Sequence, residues 1–239
     1  MLRPVHNLEF DVRVDTYLRQ LLPYSLFDRL PNNSFFITGG FVPRLYHGSQ
    51  IRDVDLFCTK DTYYSQIKDI LLNNSDFQPL SVPRQPYRSR EYLSKFKCLS
   101  KGVDLDLVRP AYDLDLPGVQ GISGPELEGF IKRFDFTAFR TVTTRMVDQK
   151  WTVNTIIDEN DISDVASKKL KFTGNLLFSS SKNNTLLRMA KYMGLGFSME
   201  SEDYQALVEI IALKIGEPDS SEENHAFASY GPNQGDMLF

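Results

Sequence analysis

The stretch FFITGGFVPRLYHGSQIRDVDLF, residues 35–57, decides the fold, because it joins a Gly-Gly turn to an Asp-x-Asp strand at a fixed separation. Residues 35–37 predict a short apolar strand that ends at Gly39 and Gly40, and Pro43 suits the first turn of the helix that follows. Glycine lets the backbone approach an anion closely, and the N–H groups at a helix N-terminus favour negative charge. The turn therefore predicts a phosphate-binding site.

The second half of this stretch predicts an acidic strand. Because side chains alternate along a strand, Asp53 and Asp55 share one face, and Val54 and Leu56 share the other. Two carboxylates so close repel each other unless a cation neutralises them, and their oxygens suit Mg²⁺ or Mn²⁺. Beside a bound triphosphate, such an ion can activate a hydroxyl and stabilise the pyrophosphate leaving group. The pattern predicts nucleotidyl transfer, although an isolated Asp-x-Asp is far more often an ordinary strand or loop.

The spacing GG-x12-D-x-D resembles the head motif of class II CCA-adding enzymes and bacterial poly(A) polymerases, within the polymerase-beta-like nucleotidyltransferases. That resemblance implies an α+β fold in which a mixed-sheet head is followed by a small helical neck. It also implies that Gly39, Gly40 and Arg44 hold the triphosphate of an NTP. Asp53 and Asp55 would then hold the Mg²⁺ or Mn²⁺ ions.

A second acidic strand is predicted by GVDLDLVR, residues 102–109, which resembles the family's acidic strand that ends in arginine. Alternation puts Asp104 and Asp106 on one face of this strand. The resemblance implies that one of them is a third catalytic, metal-binding carboxylate, and Asp104 fits the family position slightly better. The spacing leaves both open, and the other aspartate would line the wet face of a half-buried strand.

The segment KRFDFTAFRT, residues 132–141, resembles the family motif RRDFTINAL, whose polar groups bind the incoming nucleotide. Arg133 and Asp135 match that motif and are candidate nucleotide contacts. Phe134 and Phe139 stand where the family has an arginine and an asparagine. We therefore expect one of the family's contacts to the sugar or triphosphate to be missing.

The segment TLLRMAKYMGLGFSME, residues 185–200, resembles the family's neck helix, with Arg188 and Lys191 at its basic positions. Arg140 and Arg188 are further candidates for nucleotide contacts, and Arg188 is equally compatible with a salt-bridged or solvated arginine. CCA-adding relatives carry Glu-Asp-x-x-Arg just upstream, where it reads the bases of CTP and ATP. This chain has residues 181–185, SKNNT, at that place, so the base preference is open.

Hydrophobic periodicity and turn residues predict the remaining organisation of the 239-residue chain. We expect helices over residues 11–22, 42–48, 61–74, 125–131, 161–170, 183–195 and 201–215, and strands over 34–38, 52–58, within 77–109 and within 135–153. These elements predict a catalytic head over 1–153 and a helical neck over 154–215. The polar, acidic composition of residues 216–239 predicts a disordered tail.

Charge is unevenly distributed along the chain. Residues 216–239 contain five acidic residues and no Lys or Arg, so the rest has a net charge of about +1, although the whole chain has −4. Basic residues cluster within 84–101 and 168–171, and Tyr87, Tyr92 and Phe96 lie in the first cluster. These side chains could contact and stack RNA, or they could form a solvated hairpin face.

Cysteine usage and hydropathy bear on the location of the protein. Cys58 and Cys98 lie far apart and the three histidines do not cluster, so neither a zinc site nor a disulfide framework is expected. No apolar run approaches membrane-spanning length, so we expect a cytoplasmic protein with no membrane partner. Residues 234–239, QGDMLF, resemble the short peptides by which replication proteins bind sliding clamps; an idle tail or a segment that docks within the molecule is the alternative.

These patterns predict a metal-dependent nucleotidyltransferase that transfers NMP from an NTP, most plausibly to an RNA, tRNA-like 3′ end. Two alternatives stay open. The first is a related enzyme that modifies a protein or small molecule. The second is an inactive binding module that retains the head fold, which the intact pair Asp53 and Asp55 argues against.

Overall fold

The computed structural model describes residues 3–4, 8–32, 34–81, 93–110, 124–145, 150–155, 160–176 and 182–213. The predicted tail and its clamp-binding peptide lie outside these residues, as do Tyr87 and Tyr92.

Strands and helices alternate irregularly along the chain. The strands are β1 (Arg3–Pro4), β2 (Phe35–Thr38), β3 (Asp53–Cys58), β4 (Phe77–Leu80), β5 (Leu93–Cys98), β6 (Val103–Val108), β7 (Thr141–Arg145) and β8 (Trp151–Thr155). The helices are α1 (Leu8–Leu21), α2 (Tyr24–Arg29), α3 (Phe41–Tyr46), α4 (Asp61–Leu72), α5 (Gly124–Ile131), α6 (Asn160–Ala166), α7 (Lys182–Met193) and α8 (Ser201–Leu213), with a 3₁₀ turn at Thr137–Phe139.

The described strands form one mixed sheet in the order β1-β8-β7-β2-β3-β6-β5-β4. The pair β3 and β6 is parallel, and the other neighbouring pairs are antiparallel. A parallel pair needs a long crossover, which the segment from α4 through the β4–β5 hairpin supplies. The predicted α+β fold with a mixed sheet is confirmed.

Each face of the sheet carries its own hydrophobic core. On one face, α1, α2 and α4 pack over residues such as Ile37, Val54 and Leu105. On the other face, Phe36, Phe57 and neighbouring side chains pack beneath α5 and the C-terminal helices. Strand alternation explains the division, because odd and even positions of β3 and β6 point to opposite faces. In the described residues, no helix is long and apolar enough to cross a membrane.

The second core contains residues from both the predicted head and the predicted neck. Phe136 and Phe139 lie in the same cluster as Val165, Phe172 and Tyr192, and all five are buried. Phe136 also forms a β-bridge with Phe172. The boundary predicted at residue 153 therefore runs between chain segments that share one packed interior.

Several side chains of the two basic clusters contact other parts of the protein. Phe96 is only 1% exposed, so the prediction that it could stack a base is wrong; alternation in β5 turns its ring into the first core. Lys169 pairs with Glu200 at 2.6 Å, and Lys168 Nζ donates to the Leu195 carbonyl at 3.2 Å. Their ammonium groups already have protein partners.

Candidate active site

Four aspartates meet on one face of the sheet because β3 and β6 pair in parallel. The register places Asp53 opposite Asp104 and Asp55 opposite Asp106. Paired positions on adjacent strands direct their side chains to the same face. The two acidic strands predicted from the sequence are therefore neighbours, and their carboxylates form one cluster.

Two lysines of β5 neutralise the β6 pair from the other side. The antiparallel register sets Lys95 opposite Asp106 and Lys97 opposite Asp104. Lys95 Nζ lies 2.8 Å from Asp106 Oδ2, and Lys97 Nζ lies 2.6 Å from Asp104 Oδ1. The Asp106 side chain is 6% exposed, whereas that of Asp104 is 22% exposed. The carboxylate of Asp106 in the inner pair, Lys95–Asp106, is thus buried, whereas the outer pair, Lys97–Asp104, is partly exposed to solvent.

Burial, reinforced by the neighbouring carboxylates, dominates the electrostatics of Asp55 and Asp106. Burial raises the pKa of Asp55 well above its usual value, and the charges of Asp106 and Asp53 raise it further. Lys95 and Lys191 offset part of that rise. Burial likewise raises the pKa of Asp106, although Lys95 opposes it. A bound cation would relieve this repulsion.

The Gly-Gly turn lies directly beside the acidic cluster. Gly39 has φ +80°, a left-handed conformation that glycine adopts without strain, and a Cβ built there would lie 3.8 Å from Asp55 Oδ2. A Cβ on Gly40 would clash with the Tyr192 hydroxyl, which donates to the Gly40 carbonyl at 3.4 Å. The turn is therefore held between β3 and α7.

Arg44, predicted to hold the triphosphate, lies inside the protein. It is 6% exposed, and its Nη1 donates to the Gln50 carbonyl at 2.6 Å. Its guanidinium also lies 5.9 Å from the centre of the Tyr192 ring. These contacts fix the α3 turn, and a direct contact of Arg44 with a ligand stays a prediction.

The other predicted nucleotide contacts occupy different environments. Asp135 is fully buried, and Arg188 Nε lies 3.4 Å from its Oδ2. Burial raises the pKa of Asp135, and the charge of Arg188 opposes that rise. Arg140 Nη2 donates to the Lys132 carbonyl at 2.7 Å, whereas the Arg133 side chain is exposed. Arg188 is therefore salt-bridged, which is one of the alternatives that the sequence leaves open.

The two aromatic departures from the family motif belong to the core. Phe139 packs against Tyr192 with ring centroids 4.5 Å apart and planes tilted by 60°, and Arg188 lies 6.0 Å from the Phe139 ring. Phe134 is 6% exposed and lies 3.8 Å from a Cβ built at Gly39. Aromatic packing therefore fills positions where the family has polar side chains.

The sequence analysis gave no role in this site to Lys95, Lys191 or Tyr192, although it placed Lys95 in a basic cluster and Lys191 at a basic position of the neck helix. A signal for Lys95 existed, because LSKFKC and VDLDLV carry opposite charges at alternate positions of two strands that a short turn joins. The contact of Tyr192 with Gly40 had no comparable signal, because it crosses about 150 residues of sequence.

The carboxylate oxygens of Asp55 and Asp106 are suitable ligands for a hard divalent ion. Asp106 Oδ1 is buried and has no hydrogen-bond partner among the described residues, so one oxygen is left to accept a cation. As the side chains stand, no group of three or more His, Cys, Asp or Glu in the described ranges forms a metal site. The carboxylates of the cluster therefore supply suitable oxygen ligands, but their side chains would have to move closer together to coordinate an ion.

Comparisons with known proteins agree with this architecture. No model of a protein family matches the sequence, and no curated protein does. Among solved structures, an apo CCA-adding enzyme is 16% identical over 89% of this chain and 46% of its own, with a TM-score of 0.57. The chain has the fold of a CCA-adding enzyme.

Two further solved structures support that assignment. The complex of a CCA-adding enzyme with CTP is 16% identical, covers 89% of this chain and 47% of its own, and has a TM-score of 0.56. The Thermotoga maritima CCA-adding enzyme complexed with tRNA is 15% identical, covers 89% and 46%, and has a TM-score of 0.55. The chain spans about half the length of the solved CCA-adding enzymes that it matches. The predicted nucleotidyltransferase head fold is confirmed.

Proposed function

We propose that this protein is a metal-dependent nucleotidyltransferase that transfers NMP from an NTP to an RNA 3′ hydroxyl. One observation carries the proposal: the register of β3 and β6 gathers Asp53, Asp55 and Asp106 beside the turn at Gly39. A phosphate-binding turn next to clustered carboxylates is what this transfer requires. The fold shared with CCA-adding enzymes supports it.

Asp53 and Asp55 would hold the divalent ion. When bound, Mg²⁺ or Mn²⁺ would supply positive charge for the attacking hydroxyl and for the pyrophosphate leaving group. Asp55 is half-buried and Asp53 is exposed, so this pair reaches from the cluster to solvent. Their position at the start of β3 would leave a bound ion accessible to an incoming nucleotide.

We propose Asp106, rather than Asp104, as the third carboxylate. Asp106 is the register neighbour of Asp55, and its buried Oδ1 has no hydrogen-bond partner among the described residues. Each of the two carboxylates is paired with one lysine of β5, but Asp104 lies at the wetter edge of the cluster, opposite Asp53. The resemblance favours the Asp104 position, whereas these contacts support Asp106.

Gly39 and Gly40 would present their backbone to the triphosphate, and the exposed Arg133 would contact the nucleotide directly. Asp135 and Arg188 form a buried ion pair, so their proposed role is to hold α7 against the 3₁₀ turn. Arg44 and Arg140 would shape the pocket through their bonds to backbone carbonyls.

The proposed acceptor is RNA of the tRNA type. Solved structures with this fold include complexes with a primer tRNA and an ATP analogue and with tRNA. We propose that residues 1–153 form the catalytic head and that 154–215 form the neck that carries α7 and α8. Residues 181–185 lack the family's base-reading side chains, so all four NTPs are candidate substrates.

Incubation of the full chain with each labelled NTP and with tRNA, generic RNA, a protein lysate or no acceptor tests the proposal. We expect label in RNA, and none with an Asp53→Ala, Asp55→Ala double variant. An Asp69→Ala variant, changed at an exposed position of α4, is the matched control and should act as the wild type. Label in protein would identify the alternative enzyme, and no label with any acceptor would support the binding module.

A further inference from the structure

A row of polar side chains crosses four strands on the face of the sheet that carries the acidic cluster. The register aligns one residue from each of β3, β6, β5 and β4 in this outer row, namely Asp53, Asp104, Lys97 and Gln78. Paired positions on neighbouring strands direct their side chains to one face. Because neighbouring strands lie about 4.8 Å apart, the outer row covers about 14 Å, from the proposed metal site to the edge strand β4.

Lys97 is the cation of the outer row. Its Nζ lies 2.6 Å from Asp104 Oδ1, so the ammonium group leans from β5 towards β6 and the carboxylates. The Lys97 side chain is 36% exposed, whereas that of Lys95, which pairs with the buried Asp106, is 18% exposed. An ammonium group has three N–H donors, and in the described part of the chain Lys97 donates to Asp104. The geometry therefore leaves donors for a second anion at the surface.

The order of the strands determines the side from which an acceptor would approach. The turn at Gly39 and Gly40 follows β2, and β2 and β6 flank β3 on opposite sides. In phosphoryl transfer, the attacking and leaving oxygens lie roughly in line across the transferred phosphorus. With the pyrophosphate held at the turn on the β2 side, the 3′ hydroxyl would attack from the side of β6 and β5. The outer row lies on that side.

We propose that Lys97 binds the last phosphodiester of the acceptor RNA, immediately before the nucleoside that carries the attacking 3′ hydroxyl. The assignment rests on the proposed function and gives it an acceptor subsite. One sugar separates that phosphate from the hydroxyl, and one strand, β6, separates Lys97 from Asp53. Asp104 has the role of positioning the ammonium group, since Asp106 is the proposed third carboxylate.

Binding of an RNA hairpin with a single-stranded 3′ end to the full chain tests the assignment without turnover. We expect Lys97→Met to weaken binding by about ten- to a hundredfold, as for a lost charged hydrogen bond, and Lys97→Arg to retain most of the affinity. A neutral methylphosphonate at the last linkage of the RNA should weaken binding to the wild type by a similar factor. It should have no further effect on Lys97→Met, and equal losses in the two proteins would overturn the assignment.

Lys101→Met is the matched control and should bind the hairpin as the wild type does. Lys101 is exposed on the turn between β5 and β6, but its Nζ lies 3.3 Å from Gln20 Oε1 of α1, which packs on the opposite face of the sheet. If Lys97→Met does not fold, Lys97→Gln is measured against the same outcomes.

A purely structural role for Lys97, the neutralisation of Asp104, gives a different result in an Asp104→Asn background. There the cost of Lys97→Met for RNA binding would disappear, whereas the assignment requires that cost to persist. In transfer assays, Lys97→Met should raise the KM for RNA and leave the KM for NTP unchanged. Wild-type protein that labels no RNA would overturn the proposed function itself. Wild-type transfer to RNA with an unchanged KM for RNA in Lys97→Met would overturn only the assignment of Lys97.

Discussion

The hydroxyl of Tyr192 occupies the space in which a side chain on Gly40 would lie. Tyr192 cannot easily withdraw, because Phe139 and Phe197 pack against its ring at centroid distances of 4.5 and 5.3 Å. Gly40 is therefore a glycine for a tertiary reason: the neck helix α7 touches the backbone of the phosphate turn.

Gly40→Ala is predicted to destabilise the protein by about 1 to 3 kcal/mol, the usual cost of overpacking a well-filled interior. Tyr192→Phe should suppress most of that cost, because the nearest remaining atom, Cζ, lies 3.7 Å from the built Cβ. Urea denaturation of the two single variants and the double variant measures the coupling. An equal cost of Gly40→Ala in both backgrounds would mean that the clash is not its cause.

Asp55→Asn is predicted to stabilise the metal-free protein at neutral pH. The folded-state pKa of Asp55 is raised above 3.8 by burial and by Asp106, so ionisation is harder in the folded state than in the unfolded one. Stability should therefore fall as the pH rises from 3.8 through the raised pKa, and the Asn variant should lack that part of the decline. Denaturation in EDTA between pH 4 and about pH 8 tests this; parallel curves for the two proteins would contradict it.

Asp106→Asn is predicted to reduce NMP transfer at least about tenfold more than Asp104→Asn, because Asp106 supplies the buried, unpartnered oxygen beside Asp55. The two substitutions are a matched pair, since each removes one charge from β6 and leaves one lysine of β5 without its partner. Initial rates at saturating NTP compare them. A larger loss for Asp104→Asn would assign the third carboxylate to the outer position.

Mg²⁺ is predicted to raise the melting temperature of the wild type and to have no effect on the Asp53→Ala, Asp55→Ala variant. A ligand present at a hundred times its Kd stabilises the folded state by about 2.7 kcal/mol. Thermal melts over a Mg²⁺ series, with Asp69→Ala as the control, measure the shift. Equal stabilisation of the double variant would place the ion elsewhere.

Local patterns closely predict the two strands that carry the site. β2 and β3 were expected over 34–38 and 52–58 and span Phe35–Thr38 and Asp53–Cys58. Their signals are local: apolar runs, a glycine turn and period-two alternation. The α7 helix, expected over 183–195, spans Lys182–Met193 for the same reason, because its apolar residues recur at helical spacing.

The internal partners of the two arginines could not be predicted from such signals. Arg44 and Arg188 carry the charge that a phosphate would attract, yet the structure gives both of them internal partners. Nothing in the sequence indicates whether an arginine meets a ligand or a buried carboxylate, because that depends on which strands and helices become neighbours. The register of β3 with β6, which joins Asp55 to Asp106, is likewise a property of the fold.

The shared aromatic interior has a consequence for dissecting this protein. A fragment that stops at residue 153 would lose Phe172 and Tyr192, and it would present the rings of Phe136 and Phe139 to water. Such a fragment should aggregate rather than serve as a minimal catalytic unit. If this head were joined to a neck from another protein, that neck would have to supply aromatic side chains at the positions of Phe172 and Tyr192.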